Sequence, residues 1–181
     1  TANFMSVRTN DWMTALLSFD VSSIPANAQV TRATLSVYAT YHSNAYGLNI
    51  SSYRLRRSWT ANEATWKKAS ANAAWGAAGA NDTVADRDAE SSATQWVSAT
   101  PAWYDFDVTQ MARIWVGSPA SNYGLALKGA LGGAGTEFRF ASAEYFDVNL
   151  RPKLVIEYDL NAAPATPTPT PRPATPTPTR A

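Results

Sequence analysis

Apolar and polar residues alternate through most of VTRATLSVYATY, residues 30–41. Every second side chain of an extended strand points to the same face of a sheet. Ala33, Leu35, Val37 and Ala39 therefore share one face, and Thr, Ser and Tyr side chains occupy the other. A period of two does not fit a helix, whose apolar positions recur every three or four residues. The segment predicts a long strand that is buried on one face.

Similar runs recur along the chain and are separated by segments rich in Gly, Asn, Ser and Pro, which favour turns. These runs are MTALLSFDV, LNISSYRL, WYDFDV, YGLALKG, TEFRFAS and KLVIEYDL. Many short strands joined by turn-rich segments are typical of a β-sandwich. We predict an all-β fold, an antiparallel β-sandwich or jelly roll.

One helix interrupts the strands, at about residues 107–116. Val108, Met111, Ala112 and Trp115 follow helical spacing, Asp107 suits the first turn and Gly117 suits the end. TANE, residues 60–63, has capping-box spacing and predicts a single turn. Residues 67–94 show no period and predict a long irregular surface excursion.

Charge and composition exclude several classes of function. The chain has 15 Lys and Arg against 14 Asp and Glu, which leaves a net charge of +1. Nucleic acids and anionic membranes attract proteins through positive charge, so a nucleic-acid partner is not expected. No apolar run has the length of a membrane span, so membrane insertion is not expected. The absence of Cys excludes disulfides and thiolate metal sites.

The chain divides into two parts by composition. Residues 1–160 suit one β-sandwich domain, whereas residues 161–181 include the tail PATPTPTPRPATPTPTRA. Alternating Thr and Pro cannot build a core, because Pro lacks an amide and Thr is short and half polar. We predict that residues 161–181 form an extended tail or linker.

Four segments in order resemble a known family: residues 15–38, the run SWTANEATW (58–66), residues 106–129, and residues 138–158. They are similar to the DNRLRE-type bacterial β-sandwich domains, although the six letters of that name are absent and DVNLRP (147–152) is the nearest string. The resemblance implies a repeated module of secreted or surface-attached proteins, and therefore an extracellular location. Some relatives are carbohydrate-binding modules for acidic polysaccharides such as alginate.

The resemblance also implies an open sheet edge. Family members usually carry a further strand before the segment equivalent to residues 3–8, and this sequence starts too late to supply it. An unpaired edge attracts another chain. We therefore expect Asn3, Phe4, Met5 and Val7 to take part in assembly with other copies of this chain.

The tail is the predicted partner of that edge. In an extended TPTPTP strand all Thr amides face one side and the Pro residues leave the other side without donors. The strand then pairs on one side, in a head-to-tail contact, through Thr166, Thr168, Thr170, Thr175 and Thr177. The alternative is a plain inter-domain linker, with or without O-glycosylated Thr.

Aromatic residues are candidates for polysaccharide binding, because flat rings pack against sugar rings. Trp12 and Trp75 are expected to be exposed, and Tyr41 and Tyr46 to lie in a nearby loop. Arg54 and Arg56 would pair with uronate carboxylates, or equally form ordinary surface ion pairs. Three other tryptophans sit in patterned segments and are expected in the core: Trp66, Trp103 and Trp115.

Other chemistry finds weaker support. Asn81, Asp82, Asp86 and Asp88 form an acidic loop that would suit calcium, without an EF-hand pattern. We predict no other cofactor. The single histidine, His42, is expected in a surface loop and has no nucleophile motif beside it. The carboxylate pairs Asp105 with Asp107 and Glu137 with Glu144 are the candidates for glycoside chemistry, but helix capping explains Asp107, and Glu137 lies in a strand where charged residues commonly face solvent.

The sequence therefore predicts a non-catalytic, extracellular β-sandwich that works as a structural or adhesive subunit and assembles head-to-tail into a filament. The alternative is a carbohydrate-binding module joined by a Pro-Thr linker to a secreted polysaccharide-active enzyme.

Overall fold

The computed structural model describes residues 3–160, which form two antiparallel sheets packed face to face, one short helix and a small hairpin. The all-β prediction is confirmed. In chain order the strands are β1 (Phe4–Arg8), β2 (Ala15–Leu17), β3 (Gln29–His42), β4 (Leu48–Arg54), β5 (Lys68–Ser70), β6 (Ala73–Ala74), β7 (Ala93–Val97), β8 (Ala102–Asp107), β9 (Leu125–Gly129), β10 (Glu137–Ala141) and β11 (Lys153–Asp159). The helix is α1 (Thr109–Gly117), and 3-10 turns lie at Thr9–Asp11, Pro119–Ser121 and Val148–Leu150.

The first sheet is built around β3, whose 14 residues make it the longest strand. On one side β3 pairs with β11 along its first half and with β10 near its end. On the other side it pairs with β8. Strand β1 adds to β10 and forms the outer edge of this sheet. The second sheet has the order β2-β9-β4-β7, so β2 and β7 are its edges.

The alternation in β3 builds the core as predicted. Ala33, Leu35, Val37 and Ala39 are completely buried between the sheets. Helix α1 closes one end of the sandwich and buries Met111, Ala112, Trp115 and Val116 against this core.

Helix α1 begins at Thr109, two residues later than predicted, and Asp107 lies just before it. The Asp107 carboxylate accepts hydrogen bonds from the Thr109 N–H and hydroxyl, at 2.9 and 2.6 Å. Hydrogen bonding to Thr109 is the main cause that lowers the pKa of Asp107. The predicted cap therefore acts at the start of the helix from just outside it. No helix within residues 3–160 is long and apolar enough to cross a membrane.

The segment that was predicted as an irregular surface excursion is irregular, but it is not superficial. It carries the hairpin β5–β6 and folds over the outer face of the second sheet. There it forms a second apolar cluster from Leu55, Ala69, Trp75, Ala80 and Ala126. Small Ala and Gly residues let this segment pack closely without any period in its sequence.

One local prediction, the loop position of His42, is wrong, and one strand has no counterpart among the predicted strands. His42 is the last residue of β3, and its Nδ1 lies 2.8 Å from Thr100 Oγ1. Strand β7 was not predicted, because its exposed face carries Trp96 and so breaks the expected alternation.

Leu35→Ala should destabilise the domain by about 3 kcal/mol, because it leaves a cavity in a fully buried site. Val155→Ala, on the exposed face of β11, is the control and should cost well under about 1 kcal/mol. Urea unfolding followed by circular dichroism measures both. Equal losses for the two variants would contradict the assignment of the buried face.

Candidate functional site: the open side of the sandwich

Strands β1 and β2 separate from each other and join different sheets. They are joined by an antiparallel bridge between Arg8 and Met13, where the Arg8 N–H donates to the Met13 carbonyl at 3.1 Å. From this bridge β1 pairs with β10 in the first sheet, and β2 pairs with β9 in the second. The two sheets therefore open like a wedge on this side.

The wedge contains a cavity of about 490 Å³, which we call the edge groove. Its walls are apolar or hydroxyl-bearing, and its single charged lining residue is Glu144. The lining residues come from β1, β2 and the loops beside them: Phe4, Met5, Ser6, Thr14, Ala15, Leu16, Leu17, Ser18, Phe19, Trp59, Ala61, Ala64, Ser142, Ala143, Glu144 and Pro152.

The backbone of β1 presents hydrogen-bonding groups to the edge groove. The Ser142 N–H donates to the Asn3 carbonyl, which fixes Asn3, Met5 and Val7 as the residues that bond to β10. The N–H and C=O groups of Phe4 and Ser6 therefore point the other way. Strand β1 ends its sheet, so no strand within residues 3–160 pairs with these groups.

Strand β2 presents the same kind of edge. The Leu55 N–H donates to the Gly124 carbonyl, so Gly124 and Ala126 bond to β4 while Leu125 and Leu127 turn to β2. Their partners there are Ala15 and Leu17, which leaves the N–H and C=O of Leu16 facing outward. The edge groove thus lies beside two strand edges with free backbone groups in the described part of the chain.

A second cavity of about 310 Å³, the tryptophan pocket, continues the edge groove past the bridge. The two cavities share Ser6, Thr14, Leu16 and Ala64. Three indoles line the tryptophan pocket: Trp12 is 63% exposed, Trp66 is 42% exposed and Trp75 is buried. The Trp75 Nε1–H donates to the Thr65 carbonyl at 3.0 Å, so this ring is fixed.

A buried ion pair lies beneath the tryptophan pocket. Lys128 Nζ is 2.8 Å from Asp11 Oδ2 and also donates to the Gly79 carbonyl and to Thr14 Oγ1. Asn81 Nδ2 donates to the same Asp11 oxygen at 2.8 Å. Burial is the largest influence on Lys128 and lowers its pKa, which the attraction of Asp11 only partly offsets. The network ties the Thr9–Asp11 turn, β9 and the excursion into one unit.

Of the predicted sugar-binding aromatics, Trp12 and Trp75 line the same pocket, whereas Tyr41 and Tyr46 lie elsewhere. Trp12 is exposed as predicted, but Trp75 is 6% exposed because the excursion covers it, so its predicted exposure is wrong. Tyr41 lies on β3 with the Arg139 guanidinium 4.9 Å from its ring, and Tyr46 lines a separate cleft.

The expectation that three further tryptophans lie in the core holds for one of them. Trp115 is fully buried, whereas Trp66 and Trp103 are 42% and 38% exposed. Trp103 lies on the outer face of its sheet, where Lys153 Nζ approaches its ring at 4.7 Å.

The two arginines proposed for uronate binding already have a partner. Arg54 donates through Nε and Nη2 to both oxygens of Asp88, each at 2.8 Å, so its guanidinium is occupied. Arg56 is half exposed and lies 4.0 Å from the same carboxylate. The ordinary ion-pair alternative therefore describes Arg54.

The carboxylates of the acidic loop bind backbone N–H groups and arginine side chains and do not converge on a point where a metal ion could sit. The Asp86 side chain is completely buried and accepts from the N–H groups of Gly76, Ala77 and Asp82 and from Arg57 Nη1. Asp82 accepts from its own loop and Asp88 from Arg54, while Asn81 donates to Asp11. Within residues 3–160 no three His or acidic side chains cluster as metal ligands would, so the calcium interpretation of Asn81, Asp82, Asp86 and Asp88 gains no support.

The predicted assembly residues divide in two. Phe4 and Met5 line the edge groove, and Asn3 pairs with Ser142 beside it. Val7 is fully buried in the core and bonded to β10, so it is not available to a partner. The predicted tail positions lie outside the described residues: Thr166, Thr168, Thr170, Thr175 and Thr177.

The sequence did not predict that the free edges of β1 and β2 and the indoles of the tryptophan pocket form one continuous site. The residues come from three distant segments, around residues 4–19, 59–80 and 142–152. The signal for the edge at β1 is the family resemblance, which implies a further strand beside residues 3–8. No local sequence pattern indicates that Trp12 and Trp66 line the same cavity, because a long irregular segment places Trp66 in the tryptophan pocket.

Asp86→Asn should destabilise the domain by about 2 kcal/mol at neutral pH, because the buried amide cannot replace the carboxylate among four donors. Burial, the largest influence, raises the Asp86 pKa, but the hydrogen bonds from Ala77, Gly76, Asp82 and Arg57 together lower it below its ordinary value. A lowered carboxyl pKa stabilises the folded state above the unfolded pKa of about 4, and this stabilisation is lost as pH falls through the folded value.

Urea unfolding of wild type and Asp86→Asn at several pH values tests this expectation. The difference should be constant above about pH 5 and shrink below about pH 4. Glu90→Gln, an exposed change in the same excursion, is the control and should have little effect. A difference that persists undiminished in strong acid would refute the role given to the Asp86 charge.

The match to a known family covers nearly all of the domain. Residues 1–156 match the model of the Disaggregatase related repeat domain, from the first residue to within β11. No curated protein matches the chain. The match agrees with the antiparallel, mostly β fold and is compatible with the resemblance drawn from the sequence. The chain belongs to the Disaggregatase related repeat domain family.

Proposed function

We propose that this protein is a non-catalytic structural subunit of an extracellular assembly, in which an extended segment of one copy enters the edge groove of the next. The observation that carries this proposal is the divergence of β1 and β2 above an apolar groove, with free backbone groups on both edges. Membership of a repeat-domain family supports a modular structural role.

An extended peptide is the occupant that best matches the edge groove. Exposed strand edges with free N–H and C=O groups are templates for another strand. Addition of a strand obtains affinity from main-chain hydrogen bonds and specificity from pockets for alternate side chains. The free N–H and C=O groups of Phe4, Ser6 and Leu16 would make the main-chain hydrogen bonds, and the apolar walls of the edge groove would hold the side chains.

The tail of another copy is the proposed donor. Residues 161–181 contain two Arg and no acidic residue, whereas the single charged lining residue of the edge groove is Glu144. A Thr-Pro strand is also uncharged along most of its length, as the groove is. The tail therefore matches the groove in charge and in polarity.

Strand β11 carries the chain away from its own edge groove. Pro152 lines the edge groove just before β11 begins, and β11 then runs to Asp159, which pairs with Gln29. At about 3.3 Å per residue this carries the chain about 26 Å from Pro152 before the tail starts. The tail leaves from the far end of β11, and a head-to-tail contact that does not close generates a filament.

Three of the four candidate catalytic carboxylates, those of Asp105, Asp107 and Glu137, have local structural partners, which supports a non-catalytic role. Asp105 accepts from Ser36 Oγ, and Asp107 holds Thr109. Glu137 accepts from Arg139 Nε and Ser6 Oγ, which together outweigh the effect of burial and lower its pKa.

Ser6→Pro should abolish assembly of the full-length chain without unfolding it. The Ser6 N–H points away from β10, so its removal takes a donor from the incoming strand and leaves the β1–β10 ladder intact. Ser6→Ala is the matched control, because it loses the hydroxyl bond to Glu137 but keeps the N–H. Light scattering and negative-stain microscopy measure assembly, and thermal melting checks the fold.

A second full-length variant replaces residues 164–181 by Gly and Ser at constant length, and it should also fail to assemble. Ser6→Ala should assemble as wild type does. Polymers formed by the Gly-Ser-tail chain, or equal behaviour of Ser6→Pro and Ser6→Ala, would refute assembly through tail and edge.

Polysaccharide binding is a second candidate function, and a separate cleft favours it. Tyr46 and Trp96 are 65% and 57% exposed and line a cavity of about 500 Å³ together with Asn49. A Cβ at Gly47 would lie 2.3 Å from the Trp96 ring, so the indole packs directly against the backbone of this glycine. A rigid exposed ring beside an amide is suited to a sugar.

Trp96→Ala should lower retention on polysaccharide gels about tenfold if this cleft binds sugar, because aromatic anchors carry most of such contacts. Affinity electrophoresis through a panel of neutral and acidic polysaccharides gives the measurement. Trp103→Ala, an exposed indole on the other sheet, is the matched control. Unretarded migration of wild type through every gel would dismiss the second candidate.

A further inference from the structure

The tryptophan pocket holds its two exposed indoles in fixed positions. A Cβ at Gly79 would lie 2.5 Å from the Trp66 ring, so this ring rests directly on the Gly79 backbone. The Gly79 N–H also donates to the Trp66 carbonyl. On the opposite side the Arg8 guanidinium stacks 4.9 Å from the Trp12 ring. A surface with fixed rings loses little conformational entropy when it binds.

Backbone strain is concentrated around the same pocket. Asn10, Asp11 and Ala80 are the three non-glycine residues with positive φ among residues 3–160; Ala80 lines the pocket, and Asn10 and Asp11 belong to the turn just before Trp12. Asn and Asp tolerate this region, but for Ala80 it is costly. Such strain persists where the surroundings impose it, typically at binding sites. Here the Lys128–Asp11 network and the carbonyl of Gly79 impose it.

The chemistry of the tryptophan pocket is aromatic and uncharged. Its walls combine indole faces with the hydroxyl groups of Ser6, Thr14 and Thr65, and none of its lining residues carries a charge. Proline-rich segments dock in aromatic grooves of this kind, because the Pro ring is apolar and the extended chain is already ordered. Continuity with two free strand edges favours a peptide over a sugar.

The tail contains the matching feature twice. PATPTPT occurs at residues 164–170 and again at 173–179. In an extended strand the alternation over residues 166–170 puts Pro167 and Pro169 on one face and the Thr side chains on the other, and residues 175–179 repeat this pattern with Pro176 and Pro178. Seven residues span about 22 Å at roughly 3.1 Å per residue, compared with about 17 Å for the five residues of β1. One repeat is therefore long enough to lie along β1 and reach the indoles.

We infer that the tryptophan pocket is a proline-recognition subsite that takes one PATPTPT repeat from the tail of a second copy of this chain. This inference rests on the proposed function and specifies its partner contact. The Pro face of the strand packs on Trp12 and Trp66 above the buried Trp75, and the Thr amides bond to the free edge of β1 or β2.

The test uses the full-length Gly-Ser-tail chain, in which no copy carries a competing Pro-Thr tail, and a synthetic peptide of residues 164–181. Titration calorimetry should detect binding of this peptide, and the indole N–H signals of Trp12 and Trp66 should shift in NMR spectra. Trp12→Ala and Trp66→Ala should each weaken binding by about tenfold, and Trp12→Phe should restore most of it. Trp96→Ala, in the separate cleft, should leave binding unchanged.

A peptide with every Pro replaced by Ala should bind at least about tenfold more weakly, because it lacks the rings that pack on the indoles. If the native peptide binds but ignores both Trp variants and the Pro replacement, proline recognition is overturned while assembly through tail and edge stands. If neutral polysaccharide shifts the Trp12 and Trp66 signals and the peptide does not, the pocket is a sugar site and the inference fails. The Ser6→Pro and Gly-Ser-tail experiments report on assembly independently of these outcomes.

Discussion

The buried pair of Lys128 and Asp11 is the interaction on which the open side of the sandwich depends. A buried charge is costly unless it is paired and fully hydrogen-bonded. Lys128 meets this requirement by reaching Asp11, Thr14 and Gly79, which belong to the turn after β1, the start of β2 and the excursion. The cost of leaving the ammonium unpaired fixes these three segments relative to β9. The positions of Trp12 and Trp66 follow from that arrangement.

The contacts that join the two sheets differ between the two sides of the sandwich. At the β7–β8 side, Gln95 Nε2 donates across to the Asp105 carbonyl, and the Tyr104 hydroxyl bonds with the backbone of Ala99. These contacts hold the two sheets together where the chain passes from one to the other. At the β1–β2 side the strands meet at the Arg8–Met13 bridge and then diverge. The difference gives the domain one closed side and one open side with free backbone groups.

The sequence predicted the parts of the fold that periodicity controls. The alternation in β3 and the helical spacing of α1 are local, so the buried face of each could be assigned before any contact was known. Burial of Trp75 and Asp86 could not be assigned in this way. Both lie in an Ala- and Gly-rich segment without period, and they are buried because that segment folds onto the second sheet through specific hydrogen bonds. The tryptophan pocket depends on the same segment and was unpredictable for the same reason.

An open strand edge is a hazard for a protein, because it pairs with any available strand and leads to aggregation. A Thr-Pro strand offers a way to complete such an edge without creating another one. Its Thr amides bond to the acceptor on one side, and its Pro residues present no donors on the other. A second strand has little to pair with there, so growth sideways stops after one addition. In the proposed assembly, the same alternation that matches the edge groove also confines growth to the head-to-tail direction.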